Sequence, residues 1–333
     1  MKMKATLRNI MAWLMILAMI PAFFCGAFAE STSVDITLEG GKYGYPNPFL
    51  CSSKGPGSFK MMMVYDTLLV KDEEGLKPWL ATDYSVSEDS LNYTFVIREG
   101  VKWQDGQDLT PADEVFTFEY YKDHLPVSSS LMVNNEYRVT GVVDNGDDSV
   151  TLSVVRPLAT DLAAIAYVPI IPKHIWENID DPYNYNGEGD CIGSGPYCLT
   201  KINMETGEYK FDAFADYWGK HLINSVSFIA VSDNVLAFDN GEIDYLNAPW
   251  DLYEKYGNSP SCSAIENQPF LGWNLKYNMV KNPELADVNL RKAIAYAINR
   301  EEMLNLVLRG HGYVASTAYL PVGHVMRNEN IAT

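Results

Sequence analysis

Basic residues are scarce in this chain. Its 25 lysines and arginines face 43 aspartates and glutamates, for a formal net charge of −18 at pH 7. A deficit of that size argues against nucleic acid and anionic membrane surfaces as partners, and it favours solubility. The 5 histidines stand singly, so His174 reads as structural rather than as a metal ligand. The 5 cysteines include no CxxC pair, which removes the usual zinc spacing. A nucleophile elbow is missing too, because Ile192 stands where a glycine belongs two residues before Ser194. GEGDCIG matches no dinucleotide fingerprint, and its acidic residues would repel a pyrophosphate. The DNGDDS turn departs from a calcium loop, with Gly146 at a ligand position. Repeats and low-complexity tracts are likewise lacking.

What is present begins with an export label. Lys2, Lys4 and Arg8 precede an apolar run from Ile10 to Ile20, and Ala27-Phe28-Ala29 offers a small-x-small cleavage pattern. The run is short for a membrane span and is interrupted by Pro21. A mature start at Glu30 is expected. Cys25 would suit lipidation, but Phe24 occupies the place of a small residue, so plain export is preferred over a lipid anchor. Cys51, Cys191, Cys198 and Cys262 remain after cleavage, and an even number permits two disulfides in any of three connectivities. Cys191 and Cys198 bracket a turn and form the expected local pair, worth about 2–3 kcal/mol.

The remaining composition, 47% hydrophobic, is that of a globular chain with material for two domains or more. VKWQDGQDLTPADEVFTFE (101–119) reads as an extended segment, a tight turn and a helix. Thr110 caps it, Pro111 takes the first helical position, and Asp113 and Glu114 oppose the positive end of the helix dipole. Earlier, Ser33–Leu38 alternates like a strand and runs into a loop rich in glycine and proline. Hairpins are expected for 84–97, 137–155 and 197–214, the second closed by Asn-Gly. A helix stopping at Gly241 and a buried strand at Ile243–Leu246 follow, then helices capped by Asp287 and Asn299.

YDTLLV, Trp-x-Asp-Gly with Thr-Pro-Ala-Asp-Glu-Val, Pro-Lys-His, GSGPY, YWGK, NGEIDY and the AYAINR joint follow one another along the chain. In that order the chain resembles the peptide and nickel family of extracellular solute-binding proteins, which serve ABC importers. Asn299 stands where the family carries aspartate, and it keeps the capping ability.

The resemblance implies an α/β, two-lobed periplasmic-binding-protein-like type II fold with an extra α+β domain inserted. Residues 30–69 and 180–266 would form the first lobe, 70–179 the insert, and 267–333 the start of a second lobe. That second lobe looks incomplete, so the chain is expected to be a truncated member. The implied function is capture of a small peptide by an exported, periplasmic or extracellular monomer, and its delivery to ABC permease subunits. A nickel chelate or an oligosaccharide is the alternative solute, and a secreted hydrolase is the remote one. No catalytic residue, cofactor or metal is implied. The nominated ligand residues are Cys51, Ser52, Ser53 and Lys54 in the early loop, with Tyr245, Asn247, Trp250, Trp273 and Asn274 later.

Overall fold

The computed structural model describes residues 34–53, 56–72, 75–127, 129–185, 191–221, 223–265 and 275–314. The expected signal segment 1–29 lies outside them. The described residues fall into two compact units, one ending at Leu246 and the other starting at Asn247.

The first unit holds two four-stranded sheets. In one, β1 (Asp35–Glu39) runs parallel to β12 (Ser225–Ile229). β12 continues antiparallel to β11 (Glu208–Ala213), which pairs with β10 (Tyr197–Asn203). Tyr209, Phe211, Val226 and Phe228 are buried on this sheet, and helix α1 (Pro56–Val64) packs on it. The second sheet has the order β4 (Ala81–Val86), β5 (Asn92–Ile97), β9 (Ser149–Val154), β8 (Val139–Asp144), all antiparallel. In β5 the residues Tyr93, Phe95 and Ile97 point inward while their neighbours are more exposed, the alternation of a half-buried strand. Short hairpins β2–β3 (Leu69–Asp72, Gly75–Pro78) and β6–β7 (Met132–Val133, Glu136–Tyr137) flank the sheets.

The Asn-Gly signal works as read. Gly146 has φ +77°, and its N–H reaches Asp144 Oδ1 at 2.8 Å, closing the β8–β9 hairpin. Helix α2 (Pro111–Asp123) covers this sheet. Asp113 Oδ2 accepts the backbone N–H of Thr110 at 2.9 Å, the reciprocal half of a capping box. Trp103, Trp176, Tyr121, Phe95 and Phe118 are buried beneath, each worth about 1.5–3 kcal/mol of apolar transfer. Arg138 and Asp161 form a buried ion pair, Asp161 opening helix α3 (Asp161–Ala166). Helix α4 (Lys173–Trp176) follows, and α5 (Asn234–Asp239) comes after β12.

The expected strand at Ile243–Leu246 does not form. Ile243 is buried and Asp244 N–H donates to Thr37 O at 2.7 Å, as a strand beside β1 would. Thr37 N–H, however, donates to the side-chain Oδ2 of Asp244 at 2.6 Å. A carboxylate thus takes the bond that a second backbone carbonyl would need, and the ladder ends there.

The second unit contains α6 (Tyr253–Gly257), α7 (Val288–Ala297) and α8 (Arg300–Leu308). Asp287 and Asn299 cap α7 and α8 through bonds to Asn289 N and Glu302 N, as the sequence indicates. Neither helix has a buried residue among the described atoms.

Candidate functional site

The early loop leaves the carboxyl end of β1, where Gly40 N–H donates to Ile229 O at the end of parallel β12. It then turns back on itself. Asn47 Oδ1 accepts the N–H groups of Phe49 (3.0 Å) and Leu50 (2.7 Å), and Tyr43 O accepts Ser52 N–H at 2.7 Å. Phe49 is set among Tyr120, Tyr121, Trp176 and Tyr183, with ring centroids 5.0–5.9 Å away. Val127 N–H donates to Pro48 O and Cys191 Sγ to Pro46 O. Much of the loop is therefore a staple between α2, α4 and the first sheet. Cys51, nominated as a ligand residue, is 5% exposed, and burial pushes its thiol up to about 11. It is a core residue here. Ser52 is half-buried and Ser53 exposed, whereas Lys54 lies outside the described residues.

All four described cysteines are thiols. The expected Cys191–Cys198 bridge is not formed, since Cys191 Sγ is directed to Pro46 O and Cys198 is held in β10 opposite Asp212. Cys51 and Cys262 carry no bridge either. Of the later candidates, Tyr245 is 58% exposed and ends the first unit together with Leu246. Asn247 is exposed and opens the second unit, and Trp250 begins a short 3-10 helix, 250–252. Trp273 and Asn274 lie outside the described residues.

Sequence reading missed a different constellation, although its motifs were all in view. Asp66, of YDTLLV, is 3% exposed. It accepts the indole N–H of Trp79 at 2.8 Å and of Trp218 at 3.0 Å, with Ser194 and Tyr217 hydroxyls at 3.3 and 3.4 Å. Burial outweighs these donors and pushes its carboxyl up to about 6. Gln104, of the Trp-Gln-Asp-Gly turn, donates its carboxamide to Gly195 O and Tyr197 O of the GSGPY turn. Gly193 and Gly195 lie so close to the Val64 carbonyl that a Cβ on either would collide with it. Asp113 Oδ1 accepts Lys173 N–H of Pro-Lys-His at 2.9 Å. The motifs build one joint between the two sheets.

Two more buried charges lie outside that joint. Lys60 on α1 is fully buried, its Nζ without a hydrogen-bond partner but 3.7 Å from the Phe228 ring centroid and 4.5 Å from that of Tyr43. Burial lowers its ammonium to about 8. Glu114 on α2 is also fully buried with neither carboxyl oxygen bonded, and burial raises its carboxyl well above the usual range.

Comparison with known proteins gives these motifs their context. The sequence profile of the bacterial extracellular solute-binding proteins, family 5 Middle, matches residues 75–330. The chain belongs to this family. Among family 5 relatives, the nickel-binding periplasmic protein of Escherichia coli (strain K12) is 27% identical over 79% of this chain and 51% of its own length. The oligopeptide-binding protein AppA of Bacillus subtilis (strain 168) is 27% identical over 96% of this chain and 62% of its own. The chain thus spans between about half and three fifths of the length of these relatives. The structure of AppA from Bacillus subtilis in complex with a nonapeptide superposes with TM-score 0.67 at 25% identity, covering 85% of this chain and 57% of that one. NikZ from Campylobacter jejuni in complex with Ni(L-His) has the same fold, with TM-score 0.68 at 23% identity over 86% of this chain and 57% of that one. These likenesses carry the mixed helix-and-strand, type II binding-protein fold expected from the sequence, of which this chain covers part. Among the described residues no helix is long and apolar enough to cross a membrane.

Proposed function

We propose that this family 5 chain is the capture component of an ABC importer and that its solute is a peptide. The observation that carries the reading is the family match along residues 75–330, supported by relatives named for oligopeptide and dipeptide binding. The geometry agrees in one respect. The carboxyl ends of parallel β1 and β12 lie together, and in open α/β sheets ligands gather beyond such ends. There an extended peptide would be met by backbone groups, as in strand addition, with its side chains in hydrated pockets. Ser52, Ser53, Lys54, Tyr245, Asn247, Trp250, Trp273 and Asn274 are the proposed contacts. The chain works outside the cytoplasm as a monomer, presents its solute to permease subunits and breaks no bond. Residues 70–179 act as the inserted domain and 267–333 belong to the second lobe.

A nickel chelate is the second reading, supported by the nickel-binding relative. Native mass spectrometry of the protein purified from its own host tests both. A bound mass matching a short peptide is expected. A mass with the isotope pattern of nickel would move the assignment to the second reading, and chemical conversion of a captured peptide would overturn capture altogether.

A further inference from the structure

A cavity of about 80 Å³ lies within the first unit, next to the early loop. Three pieces of chain line it: Met61 and Met62 of α1, Pro126 and Val127 after α2, and Tyr167 and Val168 after α3. Each piece is fixed by main-chain contacts. Val127 N–H donates to Pro48 O at 2.8 Å, and Gly57, at the start of α1, packs so closely on the loop that a Cβ there would lie 2.6 Å from Ser52 O. Pro169 forms a β-bridge with Thr67, and Ile170 N–H donates to Asp66 O at 3.0 Å. The cavity is thus preformed, and two of its three sides are tied to the loop that carries the proposed contacts Ser52 and Ser53.

The chemistry of the lining is one-sided. No charged side chain is among the described residues that form it, and its polar groups are the hydroxyls of Ser58, Thr67, Ser129 and Tyr167. Two of these are engaged, Thr67 donating to Leu69 O at 2.7 Å and Tyr167 to Met62 Sδ at 3.5 Å. A carboxylate or ammonium entering here would lose water and meet no opposite charge, whereas an aliphatic group would exchange water for the soft methionine side chains. Volume narrows the choice. An apolar cavity of roughly 150 Å³ holds benzene. At about 80 Å³ this one is too small for an aromatic ring but has room for a branched aliphatic chain. Its approach is apolar too, for Tyr167 is 43% exposed and Phe59, one turn before Met62 on the same helix face, is 57% exposed.

We propose that this cavity is a specificity pocket for one leucine-sized aliphatic side chain of the captured peptide. The assignment rests on the peptide reading above and adds the class of residue that the solute must carry. A hydrated pocket tolerates many side chains, but this one selects by size and by the absence of charge.

Calorimetry of the full chain with Gly-Leu-Gly, Gly-Ala-Gly, Gly-Phe-Gly and Gly-Glu-Gly tests the selectivity. Titration with isobutanol, read on the ¹³C-labelled methionine methyl groups by nuclear magnetic resonance, tests the cavity without a peptide. Gly-Leu-Gly is expected to bind at least about tenfold more tightly than each of the others. Met62→Lys, at a half-buried position, should weaken Gly-Leu-Gly at least about tenfold and tighten Gly-Glu-Gly, an inversion that lost packing would not produce. Ser58→Lys adds the same charge from the first turn of α1 should Met62→Lys not fold. Isobutanol should shift the signals of Met61 and Met62, assigned with Met61→Leu and Met62→Leu, and leave those of Met132 and Met279 in place. Equal affinity for all four peptides, or a leucine preference that survives the added lysine, would overturn the pocket and leave peptide capture standing. If no peptide binds, the peptide reading fails and isobutanol decides. Shifted Met61 and Met62 signals would then keep the cavity as an aliphatic site for another solute, and unshifted ones would overturn it as well.

Discussion

The carboxamide of Gln104 donates to the carbonyl oxygen of Tyr197 at 2.8 Å, tying the Trp-Gln-Asp-Gly turn to the first strand after GSGPY. The same nitrogen reaches Gly195 O at 3.1 Å, and Gln104 N–H reaches Gly193 O at 2.9 Å. Gln104→Ala removes two side-chain donors and should lower unfolding free energy by about 1–3 kcal/mol in urea titration. Gln104→Glu should cost more at neutral pH, since a carboxylate would then face two carbonyl oxygens. An unchanged midpoint in both variants would show the bridge to be idle.

Gly195→Ala tests the close approach at the same turn. A methyl group there would lie 2.7 Å from the Val64 carbonyl carbon and 2.8 Å from Met63 O, and backbone cannot swing away as a side chain would. A loss of about 1–3 kcal/mol, the range of overpacking, is expected in thermal unfolding.

Lys60→Met keeps the aliphatic stem and deletes a desolvated charge. The ammonium is held near 8 instead of 10.5, so the folded state binds its proton less tightly than the unfolded chain does. The resulting penalty is complete below about pH 8 and is relieved as pH rises toward 10.5. The variant should match or exceed the wild type by about 1 kcal/mol at pH 7, with the advantage shrinking at alkaline pH. Marked destabilisation would mean that the aromatic faces of Phe228, Tyr43 and Tyr209 more than repay the burial.

Glu114→Met makes the corresponding change on α2. With the folded carboxyl raised, the wild type loses stability as pH rises from the unfolded value upward, and the variant should not. A gain of about 1–2 kcal/mol at pH 7 is expected from removing two buried oxygens without partners. Denaturant titrations at two pH values decide it.

For the solute, Trp250→Ala and Trp273→Ala should each weaken binding by about 1–3 kcal/mol and leave the melting temperature nearly unchanged. Asn247→Ala should cost about 1 kcal/mol if it makes one net hydrogen bond. Calorimetry against the solute found by mass spectrometry measures all three. A lowered melting temperature with intact binding would return the tryptophans to a packing role.

Local signals carried much of the fold. The alternation in 93–97, Asn-Gly at 145–146 and the caps at Thr110, Asp287 and Asn299 all depend on near neighbours, and the structure realises each. What failed depended on distant partners. Ile243–Leu246 has strand-like composition, but Asp244 spends its side chain on Thr37, 207 positions away. Cys51 sits in a loop rich in glycine, where exposure is the usual state, yet Phe49 draws that loop into an aromatic core assembled from residues 120–183. The motifs were recognised one by one, whereas their convergence on Asp66 is a property of three-dimensional closure that spacing does not encode.

The turn at Asn47 bears on how this protein ages. Its side-chain oxygen is held by two backbone N–H groups, and the next residue is proline, whose ring nitrogen has no hydrogen. Asparagine deamidates when the following backbone nitrogen attacks its carboxamide and closes a succinimide ring. Pro48 cannot make that attack, so the stitch is chemically durable. Aspartate could accept the same two bonds, but it would place an acid-labile Asp-Pro peptide bond at the centre of the staple.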